Sequence, residues 1–387
     1  MRHIVRSLFV ILIVLIVAPP VLGQQPAERP VDRRVVRGIA EKAEPNLKGD
    51  SARLQQYLDV FKRETANDSR YFTFKVAAEA EGDRGVRLSG HVEFPETRAA
   101  LVAFFEALGF KPVDNQIKTL PVAELGDERY GFVKVPHSLS YAESAAENVD
   151  TDTLLGEPLL LLLQENGHYL AHAGDGYLGY IAVDDVKRVD AQAFAEYLAG
   201  PRVCILADVT TGGATLPAGA CLKLARQSGD AVVAELPTGE SVSLTKEQCE
   251  VRDSPEKTID GVCESAKRLL GTNYLWGGKT SKGVDCSGLV QLSFARAGVR
   301  VPRDSNQQVI VGQLSATRWN RAGLRRGDTL YFINPQGRVS HTGLYLGDDQ
   351  FIHAVSPVVR INSFNPEDEN YAEAQDRSFA FARRLWQ

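Results

Sequence analysis

Residues 283–294 read GVDCSGLVQLSF. A glycine-led approach of three residues runs straight into apolar positions at Leu289, Phe294 and Ala297, and that spacing predicts a helix opening at Cys286. A thiol at a helix N-terminus faces unpaired backbone N–H groups and the positive end of the macrodipole. Both lower its pKa and favour the thiolate, the reactive species. Gly283 and Gly288 permit tight turning and close packing beside it. The plainer reading is a buried structural cysteine, and the polar neighbours Asp285 and Ser287 argue against a wholly apolar pocket.

Moving outward, GRVSHTGLYLG (337–347) carries His341 on a strand that follows a glycine-containing turn. A neutral imidazole there could take the thiol proton and return it to a leaving amine. Twelve residues on, QFIHAVSP (350–357) carries His353. The turn Gly347-Asp348-Asp349 between them predicts a hairpin, with His353 fixing the tautomer of His341. Upstream, TNYLWGGKTSKGVD (272–285) is a glycine-rich loop. Helices precede strands across residues 255–387, so this part reads as α+β.

Rival chemistries fit less well. Cys286, His341 and His353 could ligate zinc, but no CxxC or HExxH accompanies them, and a metal would occupy the nucleophile. No metal and no cofactor is expected. His168 and His172 sit on a predicted strand, about 13 Å apart, too far to share one ion. NYLWGGKT departs from the phosphate-binding loop at Asn273, and a helix rather than a strand precedes it. No G-x-S-x-G elbow occurs.

The chain has 387 residues, enough for several domains. Residues 1–23 read as a secretory signal: Arg2 and Arg6, an apolar run Leu8 to Val17, and small residues Val21 and Gly23 before the expected cut. Removing that segment takes the 44 basic residues to 42 against 49 acidic ones, a net −7, which argues against nucleic acid as a partner. A periplasmic or secreted location follows, with no stable membrane anchor after cleavage. Residues 24–50 read as a linker, rich in Pro, Gln, Arg and Glu. Residues 51–121 read as an αββαβ unit, 132–190 and 201–252 as two all-β domains, and 255–387 as the domain around Cys286. Five cysteines leave at least one thiol unpaired. If that is Cys286, then Cys204, Cys221, Cys249 and Cys263 allow three pairings.

On these motifs the last third resembles the NlpC/p60 cysteine peptidases, papain-like enzymes that cut cell-wall peptides. The likeness rests on YLWGG, DCSGLV, PRDSNQQ, GDTLYF, SHTGLYLG and FIHA, in that order. It implies Cys286, His341 and His353 as the triad, with Tyr274 reaching the thiol and helping to bind the oxyanion. The segment DGYLGYI (175–181) resembles a bacterial SH3-like domain, with a second, more divergent copy after it. The αββαβ unit resembles BON-like modules, which implies docking to an unknown partner. Two SH3-like domains before an NlpC/p60 domain resemble the γ-D-glutamyl-L-diamino acid endopeptidases, which act on murein peptides with a free N-terminal L-alanine. That resemblance implies substrate contacts from Asp285, Ser287, Asp304, Ser305 and Tyr177, and an acid from the first SH3-like domain, Glu143 or Glu147. The sequence departs from the pattern at HSLSYAES (137–144), where an NLR-like strand is usual, at Tyr180, where Trp is common, and in the added αββαβ unit. Two alternatives stand beside this reading: cleavage of intact, glycan-linked stems, and a non-catalytic docking scaffold. Acyl or amide transfer on other small amides is a third.

Overall fold

The computed structural model describes residues 30–66, 68–252, 258–280 and 282–385. The expected signal segment lies outside the described residues.

The first unit contains helices α1 (Arg33–Ala43), α2 (Leu54–Thr65) and α3 (Pro95–Ala107) and strands β1 (Phe74–Glu81), β2 (Gly85–Val92) and β3 (Val113–Thr119). Strands β1 and β2 pair antiparallel, and α3 carries the chain across to β3, which pairs parallel to β2. Tyr57, Phe61, Phe104, Phe105 and Leu88 form its core. Helix α1 falls where a linker was expected. Asp32 caps it by accepting from Arg34 N, and it buries Val36, Ile39, Ala40 and Ala43 against that core. The positions are i, i+3, i+4 and i+7, one helical face; Arg33, Arg34 and Arg37 are exposed.

Next come seven strands in one sheet: β4 (Tyr130–Val133), β5 (His137–Tyr141), β6 (Val149–Leu154), β7 (Pro158–Glu165), β8 (His168–Ala173), β9 (Leu178–Ala182) and β10 (Val186–Val189), ordered β10-β4-β7-β8-β9-β5-β6. Helix α4 (Ala191–Leu198) leads to β11 (Arg202–Ile205), a small hairpin of β12 (Val209–Thr211) and β13 (Ala214–Leu216), then β14 (Cys221–Ser228), β15 (Ala231–Glu235), β16 (Ser241–Thr245) and β17 (Cys249–Arg252). Their five-stranded sheet runs β16-β15-β14-β11-β17. Cys204 and Cys221, opposite each other on β11 and β14, form a disulfide, and Cys249, Cys263 and Cys286 are free thiols.

The last unit starts with α5 (Ile259–Lys267), the short strands β18 (Lys279–Thr280) and β19 (Gly283–Val284), α6 (Cys286–Arg296) and α7 (Ser305–Gln308). Strands β20 (Gln313–Thr317), β21 (Thr329–Ile333), β22 (Val339–Gly347), β23 (Gln350–Val355) and β24 (Val358–Ser363) follow, then α8 (Glu373–Ser378) and β25 (Phe379–Arg384). The sheet order is β20-β25-β21-β22-β23-β24. Side chains alternate across it: Leu344, Ile352 and Ala354 meet α5 and α6 on one face, while Tyr345, Phe351 and Phe332 pack on the other. Among the described residues, no helix is long and apolar enough to cross a membrane.

Candidate active site

Helix α6 begins at Cys286 because Asp285 caps it, its Oδ1 accepting from Gly288 N at 2.7 Å. A Cβ on Gly288 would stand 2.3 Å from the Gly278 carbonyl oxygen, so only glycine lets the helix seat against the 272–285 loop. Strand β22 packs on α6 and brings Thr342, the residue after His341, to the sulfur: backbone N–H groups of Thr342 and Ser287 both point at Cys286.

The hairpin of β22 and β23 pairs Leu344 with Ile352 and Tyr345 with Phe351, turning at Asp348 and Asp349, both at positive φ. In that register His353 stands across from Gly343, and His341 is its diagonal neighbour on the same face. Gly343 is needed there, since a Cβ would lie 3.1 Å from the Cβ of His353 and 2.9 Å from the Ile352 carbonyl oxygen. On the other side, β24 brings Asn362 diagonally beside His353.

These residues form a proton-ordering chain. Asn362 Nδ2 donates to the Asn370 carbonyl at 2.7 Å, which leaves its Oδ1 as acceptor, 2.9 Å from His353 Nε2. That nitrogen therefore carries the proton, and Nδ1 of a neutral His353 accepts from His341 Nε2–H at 2.8 Å. His341 is left with a bare lone pair on Nδ1, the atom a general base needs. Burial, then the neighbouring His353, drives the pKa of His341 down to about 3; burial drives His353 to about 4.

The thiol departs from the expectation drawn from its helix position. Cys286 is only 9% exposed, and burial together with the adjacent Asp285 carboxylate pushes its pKa up to about 12. The Thr342 and Ser287 amides and Arg303 oppose that shift and are outweighed. The resting pair is a neutral thiol and a neutral imidazole. Tyr274 is tied to the turn between β23 and β24 by its N–H, which donates to the Pro357 carbonyl at 2.8 Å. Burial, then the charge of a Cys286 thiolate, raises its phenol to about 12, so it stays a donor at neutral pH.

Two of the expected substrate contacts are spent on the protein itself. Asp285 Oδ1 also accepts from Ser287 Oγ at 3.1 Å, and its Oδ2 accepts from Gly277 N at 3.0 Å. Arg303, 1% exposed, adds a two-pronged ion pair at 3.0 and 2.8 Å and also donates to Ser287 Oγ at 3.0 Å. Asp285 and Ser287 are thus a saturated cap network. From the same guanidinium a 2.8 Å bond runs to Thr151 Oγ1 on β6, joining the seven-stranded sheet to the nucleophile's helix. Buried Lys279 makes a second tie, pairing with Glu157 at 2.9 Å and Asp175 at 3.5 Å.

A second cluster lies at the same interface. Asp304 caps α7, with Ser305 next to it, and its Oδ2 accepts from Tyr177 OH at 3.3 Å and Arg70 Nη1 at 2.6 Å. Asp150, the residue before Thr151, is half-buried, and among the described residues no hydrogen-bond donor reaches its carboxylate. Burial and then the charge of Asp304 raise its pKa, against Arg70 and Arg303. Glu143 is exposed and bears on Tyr180 instead, and Glu147 is exposed too. The acid that the first β unit brings to this cluster is Asp150, not Glu143 or Glu147.

Sequence reasoning missed Asn362, Arg303, Asp150 and Arg70. Arg303 sat inside the quoted PRDSNQQ motif, next to Asp304, and that adjacency was a usable signal. For Asp150 the signal was only its place on a strand before Tyr177.

The Thr342 amide meets the buried Cys286 sulfur, and the residue before it, His341, has its tautomer set by a second imidazole, an arrangement that suits thiol-dependent acyl transfer. Residues 271–376 match the NlpC/P60 family, and the chain carries an NlpC/P60 domain at its C-terminus. The gamma-D-glutamyl-L-lysine dipeptidyl-peptidase of Bacillus cereus is 30% identical over 125 residues, 31% of this chain and 36% of that protein. The gamma-DL-glutamyl hydrolase of Bacillus subtilis is 41% identical over 96 residues, 24% of this chain and 22% of that protein. The chain thus spans about a third or less of the length of these two relatives. A crystal structure of an NlpC/P60 family protein from Bacillus cereus matches 67% of this chain and 100% of its own, with a TM-score of 0.59 at 20% identity, a likeness of fold.

Proposed function

We propose that the protein is a cysteine endopeptidase that hydrolyses the γ-D-glutamyl–diamino acid bond of short murein peptides with a free N-terminal L-alanine. The two β units act in this reading as SH3-like modules, and the enzyme works in the periplasm or outside the cell. The observation that carries the reading is Asp150, a half-buried carboxylate that no hydrogen-bond donor reaches among the described residues, electrostatically coupled to Asp304 in the cluster with Tyr177. Two carboxylates with raised pKa values repel each other, and an ammonium group between them relieves that repulsion. The names of the two relatives, a gamma-D-glutamyl-L-lysine dipeptidyl-peptidase and a gamma-DL-glutamyl hydrolase, support the same choice.

The reaction follows from the proton order. His341 Nδ1 takes the thiol proton while Sγ attacks the γ-carbonyl carbon, because a thiol near pKa 12 does not ionise beforehand. The carbonyl oxygen becomes an oxyanion, for which the Tyr274 hydroxyl is a donor. The protonated imidazole then gives its proton to the departing amine, the C–N bond breaks, and a thioester remains. Water deprotonated by His341 opens the thioester and restores the thiol.

Asp150→Asn tests the reading. KM for L-Ala-γ-D-Glu-diaminopimelate is expected to rise about tenfold, since a hydrogen bond to a charged group contributes roughly 1.5–3 kcal/mol. The N-acetylated peptide should not respond. An unchanged KM for the free peptide would remove Asp150 from the substrate site.

A further inference from the structure

The first unit reaches the same cluster through one loop. Arg70 is half-buried, with Nε and Nη2 donating to the two oxygens of Asp68 at 2.8 and 2.9 Å. Its Nη1 donates to Asp304 Oδ2 at 2.6 Å and to Asn306 Oδ1 at 3.2 Å. Asp68 is itself held by Gln307 Nε2 at 3.2 Å, and Tyr71 OH donates to Gln307 Oε1 at 2.9 Å. The backbone is fixed as well: the Arg70 carbonyl accepts from Leu178 N at 2.7 Å, and the Tyr71 ring meets Tyr177 edge-on at 6.2 Å. The loop is wedged between the seven-stranded sheet and the NlpC/P60 domain, where the two carboxylates meet.

We propose that this loop belongs to the specificity site, with Arg70 as the residue that positions Asp304 for the substrate's ammonium group. This inference rests on the function proposed above. Four of the five guanidinium donors are already committed within the protein, so Arg70 acts through Asp304 and not on the substrate. Asp68 and Asp304 share the single positive charge of Arg70, so with Asp150 the cluster holds three carboxylates against one guanidinium and keeps an excess of negative charge for one incoming cation. Without Arg70, Asp304 keeps only the Tyr177 hydroxyl and its own helix cap, and a half-buried carboxylate beside Asp150 is free to swing or take up a proton. The first unit, expected to serve only for docking, thereby sets which peptides are accepted.

The test measures binding by calorimetry to full-length Cys286→Ala protein and to Cys286→Ala/Arg70→Ala. The probes are L-Ala-γ-D-Glu-diaminopimelate and its N-acetyl form. The single variant is expected to prefer the free peptide, and adding Arg70→Ala should cut that preference about tenfold or more while leaving the acetylated peptide unchanged. Arg70→Lys should restore part of it. A merely structural role would weaken both peptides alike and leave the ratio untouched, which overturns the inference. Equal binding of the two peptides by the single variant would overturn the proposed function and this inference with it. A retained preference in the double variant would overturn this inference alone. Tighter binding of the free peptide on losing Arg70 would mean that the guanidinium competes with the ammonium group, and would also overturn it.

Discussion

Replacing Asn362 by Leu removes the group at the end of the proton-ordering chain. In the native site its Oδ1 lies 2.9 Å from His353 Nε2, and no charge is involved. A neutral hydrogen bond of this kind contributes about 0.5–1.5 kcal/mol. It also polarises the His353–His341 bond at 2.8 Å, and coupled bonds strengthen one another. A loss of about 2 kcal/mol from the competent tautomer arrangement corresponds to a fall of roughly 30-fold in kcat. KM should stay within about twofold, because Asn362 is two hydrogen bonds removed from the base, with His353 between them. Stability should fall by only about 1 kcal/mol, since Ser363 N still donates to the Asn370 carbonyl at 3.0 Å. Initial rates on the free peptide, with urea unfolding as the control, give all three quantities. Asn362→Asp keeps the acceptor but adds a charge that favours imidazolium, so its acid limb should move to higher pH. A kcat for Asn362→Leu within twofold of the native enzyme would refute the argument that Asn362 sets the tautomers.

Other outcomes follow from the same geometry. Both imidazoles titrate below the ordinary histidine value of about 6.5, so kcat should stay flat from about pH 7 to 5 and fall only as pH drops toward about 4. The unfolded chain takes up those protons nearer pH 6.5, so urea-measured stability should fall as pH is lowered from there toward 3. On the alkaline side, kcat/KM for the free peptide should decline above about pH 8 as its α-amine loses its proton, with no such decline for the acetylated one. Arg303→Met strands the buried Asp285 carboxylate and should cost about 3–5 kcal/mol in urea unfolding. Gly288→Ala drives a methyl into the Gly278 carbonyl and should cost about 1–3 kcal/mol with a matching loss of kcat.

What the sequence disclosed depended on how local each signal was. Cys286, His341 and His353 each sit in a contiguous motif, and the twelve-residue interval with its Asp-Asp turn was enough to pair the histidines. The thiol's ionisation was misread because helix position is visible in sequence whereas burial is not, and here burial outweighs the amides. Asp150 carries no motif; it matters because Thr151, its neighbour, is gripped by Arg303 across 152 residues of chain. The contact between Arg70 and Asp304 spans 234 residues, beyond any local pattern. Helix α1 was legible in the spacing of Val36, Ile39, Ala40 and Ala43, but the surrounding arginines and prolines obscured it.

The measurement that bears most directly on the account is mass spectrometry of L-Ala-γ-D-Glu-diaminopimelate and its N-acetyl form after incubation with purified protein, with Cys286→Ala as control. Release of L-Ala-D-Glu from the free peptide alone, abolished in the control, is the expected result. Equal cleavage of both peptides would contradict the free-amine specificity and favour intact wall stems, and no Cys286-dependent cleavage of either would contradict the assigned reaction.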